Sequence, residues 1–373
     1  MSNPRPTTAA LLRYFLYIGT LGFGGPVALV GYMQRDLVER RGWFTRDEYM
    51  KSLALSQLAP GPLAAQLAIC LGYVHARVRG ATLVALVFVL PSFLMTVALG
   101  WLYVRFGGVA GMQAAFYGVG AAVIGIIAVA AYRLARLTMS KRRLEWAIFA
   151  VMAVTTAWTE SEIVSLFFLA GVVTMVAQAP PAFLRRTTSS CLSLAVAPGV
   201  LTELFWFFAK AGAFVFGSGL AIVPFLYGGV VKEYAWLTDA QFVDAVAVAM
   251  LTPGPIVITV AFIGYLVAAF PGAVAAALGV FLPVYLFVVI PFPWFDRFSG
   301  NPQVKAFVAG VTAAASGAIA GACLVLARRA VIDVPTAVLA LAALAAVWRF
   351  KVPEPVIIAA GGLAGLAIVW LRG

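Results

Sequence analysis

The chain has 373 residues, of which 63% are hydrophobic and only 11% charged, with a mean hydropathy of +1.01. Soluble domains carry about 25% charged residues, so this composition excludes an ordinary soluble enzyme or nucleic-acid-binding domain and specifies an integral membrane protein. The net charge of +12 then belongs to short loops between spans, where it serves positive-inside bias and attraction to anionic lipid.

From the N-terminus, the apolar segment 9–33 carries clustered glycines and reads as a span with an irregular middle. It lacks a small-residue cleavage site and reads as a signal anchor. A loop of mixed charge follows, with Arg35, Asp36, Glu39, Arg40 and Arg41. Segment 47–76 is interrupted by Pro60-Gly61-Pro62. Proline removes a backbone donor and glycine removes the Cβ, so no helix runs unbroken through the triplet. Two half-helices in a re-entrant hairpin suit it. The runs 81–104, 109–132, 144–158 and 161–179 read as spans, measured against about 20 residues for a core about 30 Å thick; the shorter ones have to tilt little or thin the bilayer. The second half follows the same order: a Gly-rich span 200–230, a loop with Lys232, Glu233 and Asp239, and a broken segment 240–269 containing Pro253-Gly254-Pro255. The spans 272–295, 304–327, 334–348 and 355–371 complete it.

The two halves are in register. Pro60 and Pro253, Trp43 and Trp236, Thr45 and Thr238, and Phe23 and Phe216 all stand 193 positions apart. Beyond the triplets the spacing becomes 192, for Gly72-Tyr73 with Gly264-Tyr265, Gly80 with Gly272 and Pro91 with Pro283, as one single-residue indel produces. A fixed spacing across unrelated residue types is the signature of an internal repeat. The expected architecture is an all-α polytopic membrane protein of two homologous repeats, 1–190 and 191–373. Each would have about five spans plus a broken re-entrant hairpin containing Pro-Gly-Pro. An odd crossing number inverts the second repeat, the plan of many transporters; if each broken helix crosses once, the repeats are parallel.

Lys and Arg placement sets the orientation. The basic loops around Arg133, Arg136, Lys141, Arg142 and Arg143 and at Arg185-Arg186 are expected in the cytoplasm. With five crossings, Arg35, Arg40, Arg41, Arg77 and Arg79 are also inside and the N-terminus is outside. Arg5, Arg13, Arg328 and Arg329 fit that arrangement poorly.

Few residues can carry chemistry. Cys70, Cys191 and Cys323 lack metal spacing and read as packed small residues, and His75 is the single histidine. No nucleophile with a base and no metal cluster can be assembled, so neither an enzyme nor a cofactor is expected. The Gly-rich stretches 19–26 and 212–219, including Gly24, Gly25, Pro26 and Gly217, Ser218, Gly219, lack the βαβ context of a nucleotide fingerprint. They either expose backbone N–H groups to an anion or let helices approach closely. Within the broken segments the polar residues are Ser56, Gln57 and Gln66, then Asp244, Thr252 and Thr259. Lys210, just before the second Gly-rich stretch, either supplies positive charge or snorkels to the interface. Asp244 occupies the repeat position of Lys51, so these two form an ion pair or coupling site if the symmetry brings them together, or lie at helix ends near water. Arg35, Arg40 and Arg41 either cap the fold or form a cytoplasmic funnel for anions.

These strings carry a resemblance. Phe23-Gly24-Gly25-Pro26, Val38-Glu39-Arg40-Arg41 with Trp43, Leu58-Ala59-Pro60-Gly61-Pro62 with Gln66-Leu67-Ala68, and Gly72-Tyr73 resemble the first repeat of the chromate ion transporter family. Phe216-Gly217-Ser218-Gly219, Trp236-Leu237-Thr238, Asp244-Ala245, Thr252-Pro253-Gly254-Pro255 and Phe262-Ile263-Gly264-Tyr265 resemble the second. The resemblance covers most of the chain. It implies a two-domain, oppositely oriented transporter in the bacterial inner membrane that exports chromate and confers chromate resistance. One departure is that Ala28-Leu29 stands where many relatives have a histidine. The expected partners are the transported oxyanion, chromate or sulfate, and membrane lipid; nucleic acid is not expected, and a homodimer is compatible with the sequence.

Outward movement of a dianion from a negative cytoplasm is favourable by about 4.6 kcal/mol per 100 mV, twice the value for one charge. Efflux by alternating access, driven by potential or a proton gradient, is therefore favoured over inward sulfate or oxyanion permeation or a membrane scaffold. The expected binding residues are Gly24, Gly25, Pro26, Gln57, Pro60, Gly61, Pro62, Gln66, Lys210, Gly217, Ser218, Gly219, Thr252, Pro253, Gly254, Pro255 and Thr259.

Overall fold

The computed structural model describes residues 5–22, 25–106, 110–138, 143–159, 164–179, 199–214, 222–295 and 301–372. In the first half these form α1 (Thr8–Leu21), α2 (Gly25–Met33), α3 (Arg46–Leu58), α4 (Leu63–Phe106), α5 (Ala110–Thr138), α6 (Arg143–Thr159) and α7 (Val164–Gln178). The second half holds α8 (Val200–Phe214), α9 (Ile222–Tyr227), α10 (Asp239–Leu251), α11 (Thr259–Val289), α12 (Pro302–Ala330), α13 (Val334–Arg349) and α14 (Glu354–Leu371). Five helical stretches are long and apolar enough to cross a membrane among the described residues: Leu63–Phe106, Gly111–Arg133, Thr259–Trp294, Pro302–Ala330 and Glu354–Leu371. The protein is thus an all-α polytopic membrane protein.

Local signals recur between the halves because the same residue types stand at corresponding places. Both α2 and α9 run on into a wider π-helical turn, Gln34–Arg40 and Gly228–Glu233. Helices α3 and α10 each start on a capping box. Glu48 N–H donates to Thr45 Oγ1 at 3.1 Å while Thr45 N–H donates back to Glu48 Oε2 at 3.0 Å. Thr238 and Gln241 repeat the exchange at 3.3 and 2.9 Å. Such reciprocal caps satisfy two orphan donors of a first turn.

The long helices α4 and α11 are each folded sharply, at Ala76-Arg77 and Ala268-Ala269. Arg77 has φ 52°, ψ −141° and Ala269 has φ 49°, ψ −147°. The chain doubles back so closely that a Cβ on Gly80 would overlap the Gly72 carbonyl oxygen, and Gly272 stands likewise against Gly264. Each long helix is therefore a short first arm leaving the Pro-Gly-Pro triplet, followed by a second arm that crosses.

The segments 9–33 and 200–230 correct the sequence reading. Rather than one span with an irregular middle, α1 and α2 turn back on each other after Gly22: Tyr14 Oη donates to the Tyr32 carbonyl, and the Tyr14 ring packs on Trp43. The Phe207 ring of α8 likewise stacks on Phe225 of α9 and meets Trp236. At 1.5 Å per residue the 14 residues of α1 reach about 21 Å, short of a core about 30 Å thick, so this segment does not cross alone. Neither α1 nor α8 is among the five helical stretches long and apolar enough to cross among the described residues, so the parity argument from five crossings per half has no support from these two segments. The N-terminus also lies elsewhere than expected. Arg5 donates to the Val74 carbonyl and pairs with Glu48 at 2.8 Å, and Thr8 meets His75. It shares an end with Arg77 and Arg79, which removes the conflict that Arg5 and Arg13 posed. Of the other misfits, Arg329 is held by Asp239 at 3.5 Å.

Between the halves, the second arms of α4 and α11 run side by side in opposite senses. Thr82 meets Tyr285 hydroxyl to hydroxyl at 2.7 Å, Val89 and Phe281 border one apolar cluster, and Phe93 faces Phe270. The halves also interleave: α5 packs on α13 and α14, and α12 packs on α6 and α7. The apolar core consequently runs through both halves.

Candidate functional site

At the centre, one break from each half meets the other. Gly254 N–H donates to the Gly22 carbonyl at 3.2 Å, which ties the second triplet to the turn after α1. Ser92 of α4 sits between them, fully buried, and its hydroxyl contacts two carbonyl oxygens, Pro253 at 2.6 Å and Gly19 at 3.3 Å. Gly254 has φ +98°; a Cβ there would overlap Ser92 Oγ. The first triplet lies against the other long helix. Gly61 has φ +141°, and a Cβ on it would stand 3.1 Å from Val284 Cγ1 of α11.

Backbone polarity at these breaks is partly settled from within. Gln66 Nε2 donates to the Pro60 carbonyl at 2.6 Å, and Thr252 Oγ1 donates to the Ala249 carbonyl. Carbonyls just after α3 and near the end of α10 are thereby engaged, while helix geometry leaves the first N–H groups of α4 without intrahelical acceptors. An excess of outward donors at a helix start favours an anion. Gln66 is fully buried and its Oε1 has no partner; such an atom is costly unless a ligand or water meets it.

The expected site residues separate into groups. Pro60, Gly61, Pro62, Gln66, Thr252, Pro253, Gly254 and Pro255 line the two triplets and are buried or half-buried, with Thr259 fully buried just beyond. Gln57 is exposed at the end of α3, and Lys210 is exposed on α8 while its neighbours Ala211 and Gly212 are buried. Gly25 and Pro26 begin α2. Gly24, Gly217, Ser218 and Gly219 lie outside the described residues. Asp244 of α10 accepts a hydrogen bond from Tyr103 of α4 at 2.7 Å, whereas Lys51 lies on α3. In the loop after α2, Asp36 pairs with Arg35 at 3.2 Å and Arg40 at 3.6 Å, and Arg41 stacks over Trp43. Two of the three arginines of the expected funnel thus share one acid.

Sequence reasoning missed Ser92, Tyr103 and Thr96, whose buried hydroxyl has no partner. A signal existed in the repeat register. At the spacing of 192, their counterparts are Val284, Phe295 and Val288, so polar residues face apolar ones at equivalent places.

The sequence profile of the family described as Chromate transporter matches residues 9–175 and again 202–366. The chain belongs to the chromate transporter family. It is 59% identical to the chromate transport protein of Cupriavidus metallidurans over 97% of this chain and 94% of that one. A probable chromate transport protein of Synechococcus elongatus is 53% identical over 99% and 98%. An uncharacterized transporter of Bacillus subtilis, YwrA, is 31% identical over 45% of this chain but 97% of its own. That relative is about one family match long. No solved structure matches. A member of this family is a multi-pass membrane transporter rather than an enzyme. Among the described residues no group of three or more His, Cys, Asp or Glu could hold a metal.

Proposed function

We propose that this chromate transporter family member exports chromate from the bacterial cytoplasm across the inner membrane. The dianion would bind near the Pro-Gly-Pro triplets, where the second of them meets the turn after α1. The observation that carries this is the junction of Gly22, Ser92 and Gly254, where broken backbone from both halves meets at helix starts. Irregular backbone is tolerated within a membrane only where protein or a cavity satisfies it, and transporters place their sites at such discontinuous helices. Its relatives named for chromate transport support the substrate.

The two repeats, 1–190 and 191–373, would be inverted. Equivalent arms of α4 and α11 lie antiparallel, with Val89 and Phe281, equivalent residues, bordering one cluster. Such pairing of a helix with its own counterpart is what an axis in the membrane plane produces. Alternating access then follows from one repeat rocking against the other. The outward drive is about 4.6 kcal/mol per 100 mV for two charges.

The test is flux of labelled chromate and sulfate in proteoliposomes, with potential and pH gradient imposed separately. Chromate efflux that grows with an interior-negative potential is expected. Absence of oxyanion flux under every gradient would leave a scaffold as the better reading. Sulfate carried in preference to chromate would favour a sulfate permease.

A further inference from the structure

The face of α4 that touches the junction has no polar counterpart in α11. Ser92, Thr96, Gly100 and Tyr103 follow at spacings of four, four and three residues and so share one helix face. Their counterparts at the repeat spacing of 192 are Val284, Val288, Phe292 and Phe295. Val284, Val288 and Phe295 belong to an apolar cluster with Leu55, Ile69 and Cys70. The α4 face differs at each step. Ser92 engages the Pro253 carbonyl. Thr96 is wholly buried with its hydroxyl unpartnered. Gly100 makes room for the Tyr265 ring. Tyr103, its ring held between Phe116 and Phe262, donates to Asp244. Asp244 lies partway along α10, between the capped start at Thr238 and the end at Leu251, on the helix that leads into the second triplet. The two sides of the duplicated fold are thus chemically unequal along this face.

Asp244 is a half-buried carboxylate whose partner is a neutral phenol. The helices packed against α10 supply few charges. From α4 comes Tyr103, and from α11 Tyr265, which lies against Gly100. Arg329 at the end of α12 is taken by Asp239. Arg133 of α5 donates to the Val347 carbonyl, and Glu354 opens α14. In the wide turn before α10, Lys232 lies over the Tyr227 ring. No Lys or Arg pairs with Asp244 among the described residues.

We propose that Asp244 is a proton-binding site coupled to the oxyanion, and that the polar file Tyr103, Thr96 and Ser92 connects it to the junction. An ionised Asp244 repels a dianion bound at the junction, about 16 Å away along α4 at 1.5 Å per residue, and protonation removes that repulsion. Linkage makes the effect reciprocal: the dianion draws a proton onto Asp244, and the proton strengthens dianion binding. The proton comes from the water phase at the start of α10 and returns there when the anion leaves. The proposal rests on the junction being the oxyanion site.

The test measures chromate binding to the purified full-length protein, with proton uptake followed in parallel, over about pH 7 to 9, where chromate remains a dianion. One coupled proton weakens binding by up to about tenfold per pH unit above the midpoint. Wild type is expected to take up a proton with chromate and to show that slope. Asp244→Asn is expected to bind with affinity independent of pH and without proton uptake. Tyr103→Phe removes a hydrogen bond that favours the ionised carboxylate, so its slope should begin at higher pH, a shift that a merely structural role would not produce. Chromate binding by wild type without proton uptake, or an unchanged slope in Asp244→Asn, overturns the proton site while leaving the transport reading intact. Absence of chromate binding and flux at every pH overturns both.

Discussion

Gly254 and Gly31 make a controlled pair at the residue scale. Gly254 holds a positive φ and has no room for a Cβ beside Ser92, whereas a Cβ on Gly31 meets nothing within 4 Å. Strain of this kind costs about 1–3 kcal/mol, and displacing Ser92 from the Pro253 carbonyl adds about 1 kcal/mol. Gly254→Ala should therefore lower the thermal midpoint in detergent and reduce chromate flux sharply, while Gly31→Ala leaves both near wild type. Gly254→Val and Gly61→Val should abolish flux yet still insert in the membrane; undiminished flux in either would remove the triplets from the site. At the protein surface, Asp333 accepts from Tyr117 Oη, the Thr336 N–H and Arg372. These bonds, the one from Tyr117 foremost, hold its carboxyl well below the usual carboxylate range. A depressed carboxylate adds stability above its unfolded value and loses it as pH falls through the folded one. Asp333→Asn should thus unfold earlier than wild type at neutral pH, with the two thermal midpoints converging only in strong acid.

Element by element, the sequence and the fold agree where a residue type forces the backbone and part where it does not. The triplets were legible because proline and glycine break a helix whatever surrounds them. The capping boxes follow from Thr and Glu or Gln three residues apart. The turn between α1 and α2 was not legible as a reversal, since clustered glycines permit a kink, a bulge or a hairpin equally. What decides is the contact of Tyr14 with Tyr32 and Trp43, a tertiary event. The sharp folds in α4 and α11 also escaped notice, because nothing in Ala76-Arg77 or Ala268-Ala269 announces a positive φ. Both second residues occupy a region that suits glycine. Ala269→Gly should therefore stabilise the protein by about 1 kcal/mol, read as a raised thermal midpoint. Gly80→Leu should destabilise it, because its side chain would have to enter the Gly72 carbonyl. A lowered midpoint for Ala269→Gly would show that the fold at 268–269 is held for another reason.

For the whole molecule, the arrangement of the halves decides how transport can work. Positions at the same place in each repeat lie at opposite ends of the antiparallel arms: the fold at Ala76-Arg77 begins the arm of α4, and that at Ala268-Ala269 begins the arm of α11. With the repeats inverted, these two folds face opposite sides of the membrane; with parallel repeats they face the same side. The N-terminus stays with the first, since Thr8 meets His75. A variant with Cys70, Cys191 and Cys323 replaced would carry one new cysteine, in place of Arg79 or of Phe270, which is exposed. In intact cells an impermeant thiol reagent should label the cysteine at 270 and spare that at 79, and in inside-out vesicles the pattern should reverse. On the positive-inside rule Arg77 and Arg79 would put the first fold in the cytoplasm. Labelling of both from one side would dismiss the axis in the membrane plane and the rocking of one half against the other. Opposite labelling would give that motion its geometry: the junction of Gly22, Ser92 and Gly254 lies where the halves meet, so with the oxyanion bound there a small rotation would change which side it can reach.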